Sequence, residues 1–232
     1  PGRILPPLLV AVAAVLVVAA PARGQRVEET RLLREAAALE SGGELEAAEA
    51  RLRTLLRRAP TSAGGLFALE RVLRARGRVS ELLAVADTFL AYAPEASGVR
   101  HLKLRVLADV DSTEALQETA AAWFALEPGN PEPYREVSRI WERALGPEAA
   151  LDVLRTGRAA VGRSDALALE TGDLLAAVGR LDDAVEEWAE ALAADPGMED
   201  EVSQRLRGLP SSRKRGRRVV ERLVENRAGD DA

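Results

Sequence analysis

Apolar residues recur at helical spacing along most of the chain, as in Leu66, Leu69 and Leu73, or Leu181, Val185, Trp188 and Leu192. Charged residues occupy the intervening positions, so the pattern predicts short amphipathic helices rather than strands. The helix breakers follow a longer period. Pro60, Pro94, Pro128 and Pro196 fall in one phase of 34 residues, with Gly162 at the place between the last two. Gly43, Gly77 and Gly179 stand 17 residues before their proline, with Asp111 in that phase and Gly146 one place later, so each repeat turns in its middle. Five residues on come Ala48, Leu82, Leu116, Ala150 and Ala184; four further come Leu52, Ala86, Ala120, Leu154 and Trp188. Small residues at such places let paired helices approach, and the larger ones fill what remains. Thr61-Ser62, Ser112 and Ser164-Asp165 are N-cap types. Asn130-Pro131 and Gly146-Pro147 place proline in a first turn, where its missing N–H costs nothing.

A 34-residue helix–turn–helix unit with A-x3-[large apolar] in its second helix and a closing proline resembles the tetratricopeptide repeat, TPR. Residues 163–196 carry the pattern best, with Gly172, Leu175, Gly179, Ala184, Trp188, Ala191 and Pro196 in family phase. The family's first-helix Trp is replaced by Leu32, Leu66, Arg100, Tyr134 and Ala168, and its small residue in that helix by Glu70 and Leu104. The resemblance implies an all-α, right-handed α-solenoid of about five units (29–60, 61–94, 95–128, 129–162 and 163–196) within residues 25–196. Such units bury their apolar faces only against each other. Val202, Leu206 and Leu209 predict a capping helix in 197–210. Val219, Val220, Leu223 and Val224 predict a short amphipathic helix in a basic tail, 211–232. Trp123, Trp141 and Trp188 are expected in the core.

Composition narrows the chemistry. The 232 residues contain no Cys and one His, His101, which excludes disulfide scaffolds, thiol enzymes, iron–sulfur centres and multi-His metal sites. Phosphate-cradling glycine motifs are absent. Asp182-Asp183 with Glu186-Glu187 is an acidic patch at helical spacing, read as a solvated helix start; a hydrolase subunit using it is the remote alternative. The expectation is a non-enzyme without cofactor or metal.

The N-terminus predicts export. Arg3 precedes an uninterrupted apolar run, Leu8–Ala20, and then Pro21-Ala22-Arg23-Gly24, the layout of a signal peptide over residues 1–24. The run is too short for the roughly 20 residues of a spanning helix. Cleavage after Gly24 implies a periplasmic or secreted protein; an uncleaved run implies a membrane-anchored scaffold with the solenoid facing outward.

Net charge is −5, yet residues 211–232 hold seven basic residues against four acidic ones. Arg213, Lys214, Arg215, Arg217 and Arg218 suit an anionic membrane surface, while the absence of an interleaved aromatic argues against nucleic acid. Arg71, Arg105 and Arg139 recur at the repeat spacing in three successive first helices, about 200° from the apolar stripe. Arg74, His101, Arg135 and Arg143 share that side by spacing. In TPR proteins this face lines the concave groove, so the resemblance implies a surface for a protein or peptide partner. Helices packed ~8–10 Å apart, against a Debye length of about 8 Å, would merge these charges into one positive field with an acidic segment as its complement.

Overall fold

A computed structural model describes residues 23–210 together with positions 217 and 219. The expected signal segment upstream of Arg23 lies outside the described residues, as do Arg213, Lys214, Arg215 and Arg218 of the tail. Among the described residues the chain is all-α, with eleven α-helices and two 3-10 turns. None of these helices is long and apolar enough to cross a membrane. The chain divides between Ala68 and Leu69 into two compact units.

The first unit holds α1 (Arg23–Ser41), α2 (Leu45–Arg58) and the start of α3 (Ala63–Ala75). The expected cleavage point after Gly24 falls in the first turn of α1. Gly43 turns the chain between α1 and α2 at φ +77°, in the left-handed region that glycine enters without penalty. Leu32, Ala36, Ala48, Leu52, Leu55 and Leu66 are buried, the small Ala48 standing one helical turn from the larger Leu52 as the pattern predicts. Ser62 caps α3 by accepting the Gly65 N–H at 3.1 Å, so this predicted cap is made.

The second unit continues from Leu69 through α4 (Leu82–Tyr92), α5 (Ser97–Asp109), α6 (Thr113–Leu126), α7 (Pro131–Ala144), α8 (Pro147–Val161), α9 (Ala168–Ala177), α10 (Leu181–Ala194) and α11 (Glu199–Arg207). Successive helices from α4 to α11 pack on their neighbours, and the first helices α5 and α7 also pack on each other. Every small/large pair of the sequence pattern is buried: Leu82 with Ala86, Leu116 with Ala120, Ala150 with Leu154, Ala184 with Trp188. Two departures from the family pattern keep the burial and change the chemistry. The position of the missing first-helix Trp is buried as Arg100, Tyr134 and Ala168, and that of the small residue as Glu70, Leu104, Ser138 and Gly172. Trp123, Trp141 and Trp188 are core residues; the Trp123 and Trp188 indoles donate to Glu127 and Asp173. Val202 of α11 is buried, and Leu206, Leu209 and Val219 pack on the same core.

The mid-repeat turns recur with positive φ at Gly77, Asp111, Gly146 and Gly179, so Asp111 performs at +54° what glycine performs elsewhere. The caps differ from one another. Asn130 accepts the Glu132 N–H ahead of Pro131, whereas Ser112 precedes α6 without a side-chain cap bond. Ser164-Asp165, expected to cap the fifth unit, does not. Its helix begins later, at Ala168, after a turn in which Leu167 adopts φ +60°. Packing is the reason. The Leu167 side chain is buried over Gly157, where a Cβ would lie 2.8 Å from Leu167 Cδ1 and 2.5 Å from Tyr134 Cγ. Burying a Leu contributes ~1.5–3 kcal/mol, more than the ~1–2 kcal/mol of a left-handed residue.

Candidate functional site

Within the second unit, α3, α5 and α7 are first helices of successive repeats, and they line an open cavity of about 360 Å³. Arg74 comes from α3, Arg105 and Asp109 from α5, and Arg143 from α7, with Ala108 and Ile140 forming an apolar floor. Three of the seven arginines and histidines expected on this side therefore converge. Arg71 is exposed on α3 and does not line the cavity, and Arg139 is exposed on α7 beside Glu136. His101 and Arg135 face the next first helix along.

The expected single positive field takes a different form because acids stand between the cations. Four pairs join residues 35 apart, one repeat plus one step, and so link successive first helices: Glu70 with Arg105, Arg74 with Asp109, His101 with Glu136, Arg135 with Glu170. Glu70 is the key substitution. Standing where the family has a small residue, its buried carboxylate accepts from Arg74 Nε at 3.0 Å and from an Nη of Arg105. Arg74 also donates through Nη1 to Asp109 at 2.5 Å. Arg143 has no acidic partner within ion-pair distance among the described residues, and Arg105 Nε is buried there without an acceptor. An unsatisfied buried donor costs ~1–3 kcal/mol.

His101 Nδ1 lies 2.7 Å from a Glu136 oxygen. Burial nevertheless pushes the imidazole below its ordinary value, with Arg105 and Arg143 adding to that direction and Glu136 opposing it. At neutral pH it is an uncharged ring donating to a carboxylate. Burial works against the Arg135 charge, but the hydrogen bonds and negative charges of Glu170 and Glu132 together outweigh it and hold the side chain more firmly protonated than usual.

A second cavity, about 490 Å³, lies between α8, α9 and α10. It contains Arg155, Arg158 and Arg180 opposite Asp183, Glu186 and Glu187. Arg158 grips Glu187 through both Nη atoms and donates from Nε to the Ala166 carbonyl, while Asp183 pairs with Arg180. Asp183 and Glu187 of the acidic patch read from the sequence are thus engaged in ion pairs on their own protein. Among the described residues no group of His, Asp and Glu is placed to hold a metal ion. Of the basic tail, Arg217 is helical and exposed.

Fold and site define a protein of stacked, TPR-like helical hairpins with a charged first-helix face. No family model matches the chain, and no curated protein matches it significantly. Among solved structures it is similar to a thermophilic TPR protein of Thermus thermophilus, at 19% identity over 76% of this chain and 96% of that one, TM-score 0.43. It is similar to PilF of Pseudomonas aeruginosa at 17% identity over 86% and 100%, TM-score 0.46. MamA of Desulfovibrio magneticus shares 13% identity over 74% and 97%, TM-score 0.44.

The sequence pattern put Arg74, Arg105 and Arg143 on one side of their helices but did not identify the acids that pair with Arg74 and Arg105. Glu70 was visible as a departure from the repeat. Asp109 carried no signal, since only the side-chain reach between neighbouring helices reveals its partner.

Proposed function

We propose that this protein is an exported, non-catalytic adaptor that binds an acidic segment of a partner protein along the first-helix face of its second unit. The observation that carries the reading is the open cavity on α3, α5 and α7, where three guanidinium groups meet an apolar floor. Clustered arginines favour carboxylates through planar, charge-assisted hydrogen bonds. Exposed ion pairs contribute only ~0–1 kcal/mol each, so Ala108 and Ile140 would supply apolar contact and the partner's backbone the rest. The Leu8–Ala20 run supports export to the periplasm or beyond, in envelope assembly or scaffolding.

Affinity purification from the envelope fraction, followed by mass spectrometry, tests the adaptor role. A partner retained by wild type and lost by an Arg105→Ser/Arg143→Ser double variant supports it; an unchanged partner set refutes the groove. N-terminal sequencing of the protein from cells tests export. A mature chain starting at Gln25 supports a released protein, and an intact Leu8–Ala20 run supports the anchored form instead. Flotation with anionic liposomes, with and without residues 211–232, reads any membrane contact of the tail.

A further inference from the structure

Charge within the α3–α5–α7 cavity is nearly balanced by the protein's own residues. Arg74, Arg105 and Arg143 bring three positive charges, Glu70 and Asp109 two negative ones. His101 beside them is held neutral by burial, and Glu136 is occupied by His101 and Arg139. One positive charge is left, and it sits on Arg143. Asp109 is the adjustable member of this set. It is half-exposed, lines the cavity and holds one end of Arg74, whereas Glu70 is buried beneath the pair and bridges both Arg74 and Arg105.

Resting on the adaptor reading, we infer that Asp109 is the specificity-determining residue of the groove, an internal counter-ion that matches the cavity to a single-charged carboxylate and turns away a doubly charged phosphate. A Glu or Asp side chain of the partner meets Arg143 and the free edge of Arg105 and brings the cavity to neutrality. A phosphoryl group, carrying ~−1.5 to −2 at neutral pH, overshoots that balance and is repelled by the Asp109 carboxylate. Removing the Asp109 charge leaves two positive charges and releases Arg74 Nη1, whose Nε stays on Glu70, a set suited to a dianion.

The test uses the full chain and two blocked tripeptides that differ only in the central residue, acetyl-Ala-Glu-Ala-amide and acetyl-Ala-phosphoSer-Ala-amide, at pH 7.5 and constant ionic strength. The readout is the Nε–Hε NMR signals of Arg105 and Arg143; burial of the Arg105 Nε slows its exchange and keeps it visible. In wild type the Glu peptide moves both signals and binds at least as tightly as the phosphoserine peptide. Asp109→Asn tightens the phosphoserine peptide by about fivefold, the scale of one partly exposed ion pair, and changes the Glu peptide less. Arg143→Gln weakens both, and unchanged amide spectra elsewhere show that the variants fold. If neither peptide moves the signals, if phosphoserine binds wild type more tightly, or if Asp109→Asn leaves the preference unchanged, the inference is overturned. The adaptor reading is judged separately, by whether the Arg105/Arg143 variant loses its cellular partner.

Discussion

Gly172→Ala tests the packing of the repeats at a place where two helices approach closely. An added Cβ would lie 2.5 Å from both Cδ1 and Nε1 of Trp188 and 3.0 Å from the Ala184 carbonyl. Ordinary contact begins near 3.4 Å, so about an ångström must be found. The carbonyl belongs to the α10 backbone, and the buried indole is fixed by its 3.0 Å bond to Asp173, an acid also held by Arg205. Overpacking costs ~1–3 kcal/mol, and displacing the indole sacrifices a hydrogen bond worth ~1 kcal/mol. Alanine returns ~1 kcal/mol of helix propensity, leaving a net loss of about 1–3 kcal/mol. At ~2–4 °C per kcal/mol for a chain of this size, thermal unfolding followed by circular dichroism should fall by several degrees. Gly64→Ala is the matched control. Its Cβ meets only the flexible Leu33 side chain, with Cδ1 at 3.3 Å, so the variant should melt at or above the wild-type temperature. A Gly172→Ala protein as stable as wild type would refute the close helix approach on which the stacking depends.

Asp111→Gly should stabilise the chain by ~0.5–1 kcal/mol, read as a higher urea midpoint, because it relieves a non-glycine residue at φ +54°. Leu167→Gly relieves a similar backbone at +60° yet should destabilise, since the lost burial exceeds the relief; a higher midpoint would show that strain dominates there. His101 should titrate below its ordinary value near 6.5 in an NMR titration, because burial and the nearby arginines outweigh Glu136. With its folded value depressed, the stability it contributes is present above the unfolded value and is lost as pH falls through 6.5 toward the folded one. A midpoint above 6.5 would mean that the Glu136 charge dominates.

The repeat was legible because its markers answer to local physics. Left-handed turns select glycine, helix starts select proline and Ser or Asn, and close helix pairs select alanine. Positions 48/52 through 184/188 accordingly fell where the pattern put them. Asp111 was legible for the same reason, as an acid that tolerates the glycine conformation. Two features depended on tertiary reach and left no local trace. The late start of α9 comes from Leu167 reaching the space above Gly157, which overrides the cap chemistry of Ser164-Asp165. The charge state of the groove comes from pairs 35 residues apart, in which Arg74 is claimed by Asp109 and Arg105 by Glu70. Spacing along the sequence puts the cations on one side of their helices, but it does not show which acids on neighbouring helices reach them.

Site-specific photo-crosslinking in cells tests the central claim most directly. A benzophenone side chain at Ala144, which lines the α3–α5–α7 cavity, should capture a partner protein, and the same group at the exposed Asp152 of α8 should not. A partner captured equally from both positions, or from Asp152 alone, would contradict the assignment of the first-helix groove as the binding face.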